Sequence, residues 1–202
     1  MTIIVDYGVG NIASLINMLE HIGVPAEASG DPERVRGAER LILPGVGAFD
    51  KAMRTLAERH LIEPIKEAAR QRRVPLIGVC LGMQLLARSS EEGQLPGLGL
   101  IEADVVRIAP DAGVKVPHVG WAEVQPVGAS PIFPESAAGE RFYFVHSYHM
   151  RCDDEADVAG RIHYGHEMCV AVSKGNVHGV QFHPEKSHRY GMRLLQSFAH
   201  LS

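Results

Sequence analysis

Cys80 stands in Gly78-Val79-Cys80-Leu81-Gly82, a thiol with a glycine two residues to either side. Upstream, Val74 to Ile77 is an apolar run with β-branched residues; downstream, Leu81, Leu85 and Leu86 recur at helical spacing. The pattern predicts a buried strand turning straight into a helix, the nucleophile elbow with sulfur in place of the serine oxygen. Glycines on both flanks let the two backbones crowd the turn, which can hold the central residue in a strained conformation. The thiol then sits at a helix N-terminus, where unpaired N–H groups and the macrodipole favour a thiolate. The Leu81 N–H is left to receive an oxyanion. The same spacing also fits a plain buried cysteine in a tight turn.

A cysteine nucleophile needs a base, and the base needs an orienting partner. Gln181-Phe182-His183-Pro184-Glu185 closes an apolar strand and offers both. Residues two apart in an extended segment project to one side, so His183 and Glu185 are expected to face one site, with Pro184 restricting the backbone between them. A surface His-Pro turn with a solvated Glu is the alternative. Pro44-Gly45-Val46-Gly47 ends another strand, and its glycines can turn an N–H toward the rim, as an oxyanion hole requires. His146 and His149, like His163 and His166, form His-x-x-His pairs. Zinc wants more ligands and neither pair has a nearby Cys-x-x-Cys, so no metal site is expected. His146 follows a strand and could line the site, but reads better as a core or solvent-facing residue, and Cys152 and Cys169 read as packing residues.

The elements that must position these groups follow a rhythm. Strands are expected at Thr2 to Val5, Pro25 to Ala28 and Arg40 to Leu43, and before the elbow. Helices are expected along the Ile12, Leu15, Ile16, Leu19, Ile22 stripe, after the Asp31-Pro32-Glu33 cap, and over residues 50–59 and 62–72. Strand and helix in alternation predict a parallel sheet covered on both faces, with ligands outside the C-terminal strand ends, at loops 6–11, 44–49 and 78–82. Gly8-Val9-Gly10 lacks the third glycine of a dinucleotide loop, Ala standing at 13, and reads better as a surface loop. After the elbow helix runs out near Gly93 the rhythm changes to hairpins. Strands are expected over 103–108, 122–127, 141–145, 168–172 and 177–182, with a final helix over 188–201.

The 202 residues suit one domain, 1–202, and at 46% hydrophobic they supply one sizeable core. A net charge of −4 argues against nucleic acid as a partner. Three cysteines without framework spacing fit thiols in a reducing compartment. No signal segment and no apolar run of ~18 residues is present, so a cytoplasmic location is expected.

With these motifs in hand, the chain resembles the class I (triad) glutamine amidotransferases from end to end. Asp6-Tyr7-Gly8-Val9-Gly10-Asn11, Pro44-Gly45-Val46-Gly47-Ala48-Phe49, the Cys80 elbow through Gln84, His118-Val119-Gly120-Trp121, Tyr143 to Tyr148 and Gln181 to Ser187 carry the likeness. Among them it is most similar to the glutaminase subunits serving imidazole glycerol phosphate synthesis. Relatives in anthranilate or GMP synthesis typically carry Pro-Gly-Pro at the second motif and His, not Met, before the elbow Gln. Val119 stands where Met is expected and Ala122 where Asn is frequent. The resemblance implies a flavodoxin-like, open and mostly parallel sheet with a strand-rich insertion in the second half. It implies that Cys80 attacks glutamine, that His183 oriented by Glu185 shuttles the proton, and that N–H groups of Leu81 and of Gly45, Val46 or Gly47 stabilise the oxyanion. Gln84 and Glu92 would hold the amino-acid end of the substrate, helped by backbone at Ser147 and Tyr148. No cofactor is implied. The partner would be a (β/α)8 cyclase subunit in a heterodimer, with Asn11, Trp121 and Lys186 as interface residues. A lysine just before the final helix opposes that helix's dipole, which points to an acid elsewhere as its counterpart. Three other readings stay open: a glutaminase for pyridoxal phosphate or anthranilate synthesis, a cysteine hydrolase of the protease or chaperone kind, and a binding subunit that merely keeps the fold.

Overall fold

Nearly continuous apolar runs make β1 (Thr2–Val5), β3 (Arg40–Gly45) and β4 (Leu76–Cys80), strands buried on both faces. With β2 (Ala26–Ser29) and β13 (Val177–Val180) they form a parallel array in the order β2-β1-β3-β4-β13. The computed structural model describes residues 1–110, 114–133 and 139–201.

Strand alternation divides the core into two layers. Ile3, Val5, Leu41, Leu43 and Leu76 pack with Val35 of α2 (Pro32–Arg36), Leu56 of α3 (Phe49–Glu58) and Ile65 of α4 (Ile62–Arg70). Ile4, Ile42, Ile77 and Val79 pack with Leu15 and Leu19 of α1 (Ile12–His21) and with Leu195 and Phe198 of α6 (His188–Ala199). Each fully buried Leu or Ile contributes ~1.5–3 kcal/mol, and a one-residue slip would exchange the layers, so the register is strongly set. The sheet is therefore open, mostly parallel and covered on both faces, as the sequence indicates. Asp31 caps α2 by accepting from the Glu33 N–H at 2.9 Å, with Pro32 in the first turn.

Three local differences separate this half from its sequence reading. β2 lies one residue later than expected. Pro44 and Gly45 belong to β3, where Gly45 pairs with Cys80, so the loop starts at Val46. The elbow helix α5 is only Leu81–Leu85. It stops because the N–H groups of Leu98, Leu100 and Ile101 bond to the Leu85 and Leu86 carbonyls, supplying partners that a continued helix would have supplied.

Beyond β13 the sheet continues with β12 (His166–Lys174), β10 (Tyr148–Cys152), β6 (Ala103–Arg107) and β5 (Ser89–Ser90), antiparallel from β13 to β6. β11 (Val158–Tyr164) joins β12 and β8 (Gln125–Pro126), while β7 (His118–Glu123) and β9 (Arg141–His146) form a separate antiparallel pair. The single strand expected over 122–127 is thus two, and the first begins at His118. β11 has no counterpart in the sequence reading, because mid-strand Gly160 and two register irregularities break its two-residue period. Among the described residues no helix is long and apolar enough to cross a membrane.

Candidate active site

The C-terminal ends of β1, β3, β4 and β13 meet on one rim of the sheet, where β4 delivers Cys80. Its backbone lies at φ 56°, ψ −113°, a conformation that a residue with a side chain avoids. The strain persists because the turn is clamped on both sides. A β-carbon on Gly78 would lie 2.5 Å from the Gly82 carbonyl oxygen, so only glycine lets strand and helix approach this closely.

His183 and Glu185 come together by a route other than the expected extended segment. His183 is extended, at φ −101° and ψ 97°, but Pro184–Lys186 is a 3₁₀ turn. Proline suits the start of such a turn, and Ser187 closes it: its N–H donates to the Pro184 carbonyl and its hydroxyl to the His183 carbonyl at 2.6 Å. The turn swings Glu185 back until Oε1 lies 2.8 Å from His183 Nδ1, both side chains being almost fully buried. With Nδ1–H given to the carboxylate, Nε2 remains for chemistry; it is buried without a hydrogen-bond partner among the described residues. Burial opposes charge on this ring, yet the Cys80 sulfur beside it and then Glu185 outweigh that cost and push the His183 pKa up to about 9. The ring is thereby made a readier acceptor for the thiol proton, which it can then hand on.

A cleft of about 370 Å³ opens over Cys80 and His183. Val46, Gly47 and Leu81 line it, as do Gln84, Glu92, Ser147 and Tyr148, whereas Gly45 lies behind them in β3. Gly47 adopts φ 94°, a loop conformation open to glycine. Tyr7, kept protonated by burial and then by the neighbouring Cys80, donates to the Pro44 carbonyl at 2.7 Å and anchors that loop from below. Glu92 Oε2 accepts from the Phe49 N–H at 2.9 Å, and Asp50 accepts from the N–H groups of Gln94 and Leu95 at 3.0 Å. The two carboxylates tie the loop bearing Glu92 to the start of α3.

Two buried residues, one lining the cleft and one beneath it, are assigned no role in the sequence reading. His146, read there in preference as core or solvent-facing, is buried and also lines the cleft, the alternative that reading left aside. Its Nδ1–H donates to the Tyr148 carbonyl at 2.8 Å and its Nε2 meets His118 Nδ1 at 3.0 Å, so both rings are bonded as neutral imidazoles. Gln181 is fully buried against Cys80; a lone polar residue between apolar Val180 and Phe182 was the available signal. His163 pairs with Glu167, and among the described residues no group of three or more His, Cys, Asp or Glu could hold a metal ion.

The suggested interface residues share the rim. Trp121 pairs with Tyr143 across β7 and β9, and Lys186 Nζ sits 5.6 Å from the Tyr143 ring centre. Asn11 follows Gly10, where an added β-carbon would lie 2.8 Å from Pro44 Cβ. Val46, Val119, Trp121 and Val145 are 44%, 56%, 39% and 39% exposed, an apolar surface beside the cleft mouth.

Residues 3–201 match the family described as glutamine amidotransferase class-I. The chain is 48% identical over 201 residues to the imidazole glycerol phosphate synthase subunit HisH 2 of Pseudomonas aeruginosa, covering 100% of both. It is 46% identical over 198 residues to the HisH 2 subunit of Methanococcus maripaludis, covering 98% of both. A crystal structure of a glutamine amidotransferase superposes with a TM-score of 0.76 at 23% identity, over 97% of this chain and 96% of that one. PurLQS from Thermotoga maritima gives 0.75 at 22%, over 98% and 96%; at such identities the likeness concerns the fold. The elbow, the folded sheet and the full-length relatives agree: the chain belongs to the class I glutamine amidotransferases, in the branch of the HisH subunits of imidazole glycerol phosphate synthase.

Proposed function

We propose that residues 1–202 are one glutaminase domain that hydrolyses glutamine and delivers the ammonia to a (β/α)8 cyclase subunit. The heterodimer would make imidazole glycerol phosphate and aminoimidazole carboxamide ribotide in histidine biosynthesis, in the cytoplasm. The observation that carries this reading is Cys80, held at positive φ, in one cleft with the buried His183–Glu185 pair.

The Cys80 thiol gives its proton to His183 Nε2, and the sulfur attacks the side-chain amide carbon of glutamine. As the S–C bond forms, the C=O electron pair moves onto oxygen, where the N–H groups of Leu81 and the Gly45-Val46-Gly47 segment stabilise it. His183 returns its proton to the amide nitrogen, the C–N bond breaks and ammonia leaves. Water adds to the thioester with His183 as base; the C–S bond then breaks, releasing glutamate and restoring the thiol. Glu185 holds the imidazole in the tautomer that every step uses. Gln84, Glu92 and the backbone of Ser147 and Tyr148 hold the amino-acid end, the Glu92 carboxylate suiting the ammonium group. The protons and electron pairs balance without a cofactor. Asn11, Trp121 and Lys186 belong to the partner face.

The test is glutamate release by the purified chain alone, then with the cyclase subunit and its nucleotide ligand, with Cys80→Ala as control. Weak activity alone, activation in the complex and loss in the control are expected. Activity indifferent to the cyclase would keep the glutaminase and discard that partner; no release from a formed complex would discard the glutaminase.

A further inference from the structure

We infer that Gln181 is a catalytic residue of this site: its side-chain N–H donates to the Cys80 sulfur, and Gln84 sets which end of the amide faces the nucleophile. The inference rests on Cys80 being the nucleophile proposed above.

Gln181 is 0% exposed, just past the end of β13, its backbone N–H bonded to the Val170 carbonyl at 2.8 Å. A primary amide is costly to bury unless both ends are bonded. Here both are. Oε1 accepts from Gln84 Nε2 at 3.0 Å, and Nε2 lies 3.8 Å from Cys80 Sγ, a suitable N–H···S length. The direction of the chain follows from one group that cannot turn round. The Tyr148 backbone carbonyl, 3.5 Å from Gln84 Nε2, only accepts. The Gln84 atom facing it must therefore be the donor, so the Gln181 atom facing Gln84 must be the oxygen. The NH2 end of Gln181 is left for the sulfur.

A donor at that place acts when charge is on sulfur. It stabilises the thiolate once the proton has passed to His183, and again when the thioester C–S bond breaks and sulfur departs with the electron pair. During attack the charge moves to the oxyanion, and the N–H···S bond relaxes.

The test is alkylation of Cys80 by iodoacetamide in the full chain at neutral pH, mapped on peptides because Cys152 and Cys169 are also thiols. Gln181→Met keeps the bulk and removes the donor; Cys80 should react about tenfold more slowly while Cys152 is unaffected. Gln84→Met should slow Cys80 in the same direction by less, since Gln181 then loses its fixed orientation. Equal Cys80 rates in folded wild type and Gln181→Met would overturn the inference. Should Gln181→Met fail to fold, Cys80→Ala carries the test by NMR: the Gln181 side-chain amide proton, without its sulfur acceptor, must move upfield, and an unmoved resonance overturns the inference. No glutamine enters these experiments. A slowed Cys80 in a chain without turnover would count against the glutaminase reading alone, and turnover with unchanged alkylation against Gln181 alone.

Discussion

Gly82 lies so close to Leu43 that a β-carbon on it would be 1.8 Å from the Leu43 carbonyl oxygen. This contact sets the spacing between β3, which leads into the Val46-Gly47 loop, and α5, which carries Leu81 and Gln84. The two sides of the proposed oxyanion site are thus gauged against each other by the absence of a side chain.

Gly82→Ala is accordingly expected to cost more than about 3 kcal/mol in urea unfolding, or to prevent folding, because backbone rather than a flexible side chain must give way. Gly47→Ala meets no atom within 4 Å and faces only its φ of 94°. Its cost should be about 1 kcal/mol, and the folded variant should release glutamate more slowly. Similar losses from both substitutions would contradict the packing argument.

Asp50 never lines the cleft, yet its carboxylate holds the Gln94 and Leu95 N–H groups and so the loop that presents Glu92. Those bonds hold its own pKa below the usual carboxylate range. Asp50→Ala should raise KM for glutamine about tenfold, with kcat changed much less, since ground-state binding is what loosens. Steady-state kinetics of the complex reads this directly. An unchanged KM would detach the loop from substrate binding.

The sequence made the local part of this site readable and hid the rest for a physical reason. An elbow and a His-Pro-Glu turn are built from neighbours in the chain, so spacing alone points to Cys80, His183 and Glu185. Gln181 meets Gln84 and Cys80 from 97 and 101 residues away, and His146 meets His118 from 28; no local pattern encodes such contacts. The same divide runs through the fold. β1, β3 and β4 are buried on both faces and announce themselves as apolar runs, whereas β11 is interrupted by Gly160 and bulged against β12. Even His183 and Glu185 meet through a 3₁₀ turn closed by Ser187, which strand periodicity could not foresee.

Stability should peak near neutrality. Burial holds His118 and His149 below the ordinary histidine value, His178 at about 4 and His146 at about 3. Unfolded, each titrates at about 6.5. A depressed folded pKa means that stability is full above that value and falls as the pH drops below it, by up to about 1.4 kcal/mol per pH unit per histidine. His183, raised to about 9, works the other way: its contribution is full below 6.5 and is lost as the pH rises through 9. Thermal midpoints should therefore fall from pH 7 toward 5 and also toward 9.5, and His178→Asn should flatten the acid limb. A midpoint level from pH 7 to 5 would refute this account.

Lys186 forms no salt bridge among the described residues, and its ammonium rests by the Tyr143 ring. Lys186→Ala should weaken the cyclase complex about tenfold by titration calorimetry, as expected when a charge meets an acid on the partner. Glutamate release at saturating cyclase should persist. An unchanged Kd would remove Lys186 from the interface.

Val46, Val119, Trp121 and Val145 stand together beside the cleft mouth as greasy, uncharged surface. Ammonia freed into neutral water is soon protonated, and as ammonium it attacks no carbon. Four apolar side chains pressed against a second protein make a gasket. Beneath such a seal, the product keeps its lone pair because bulk water is shut out along with its protons. Under the proposed function, this patch, once covered by the cyclase, would keep the released ammonia a nucleophile.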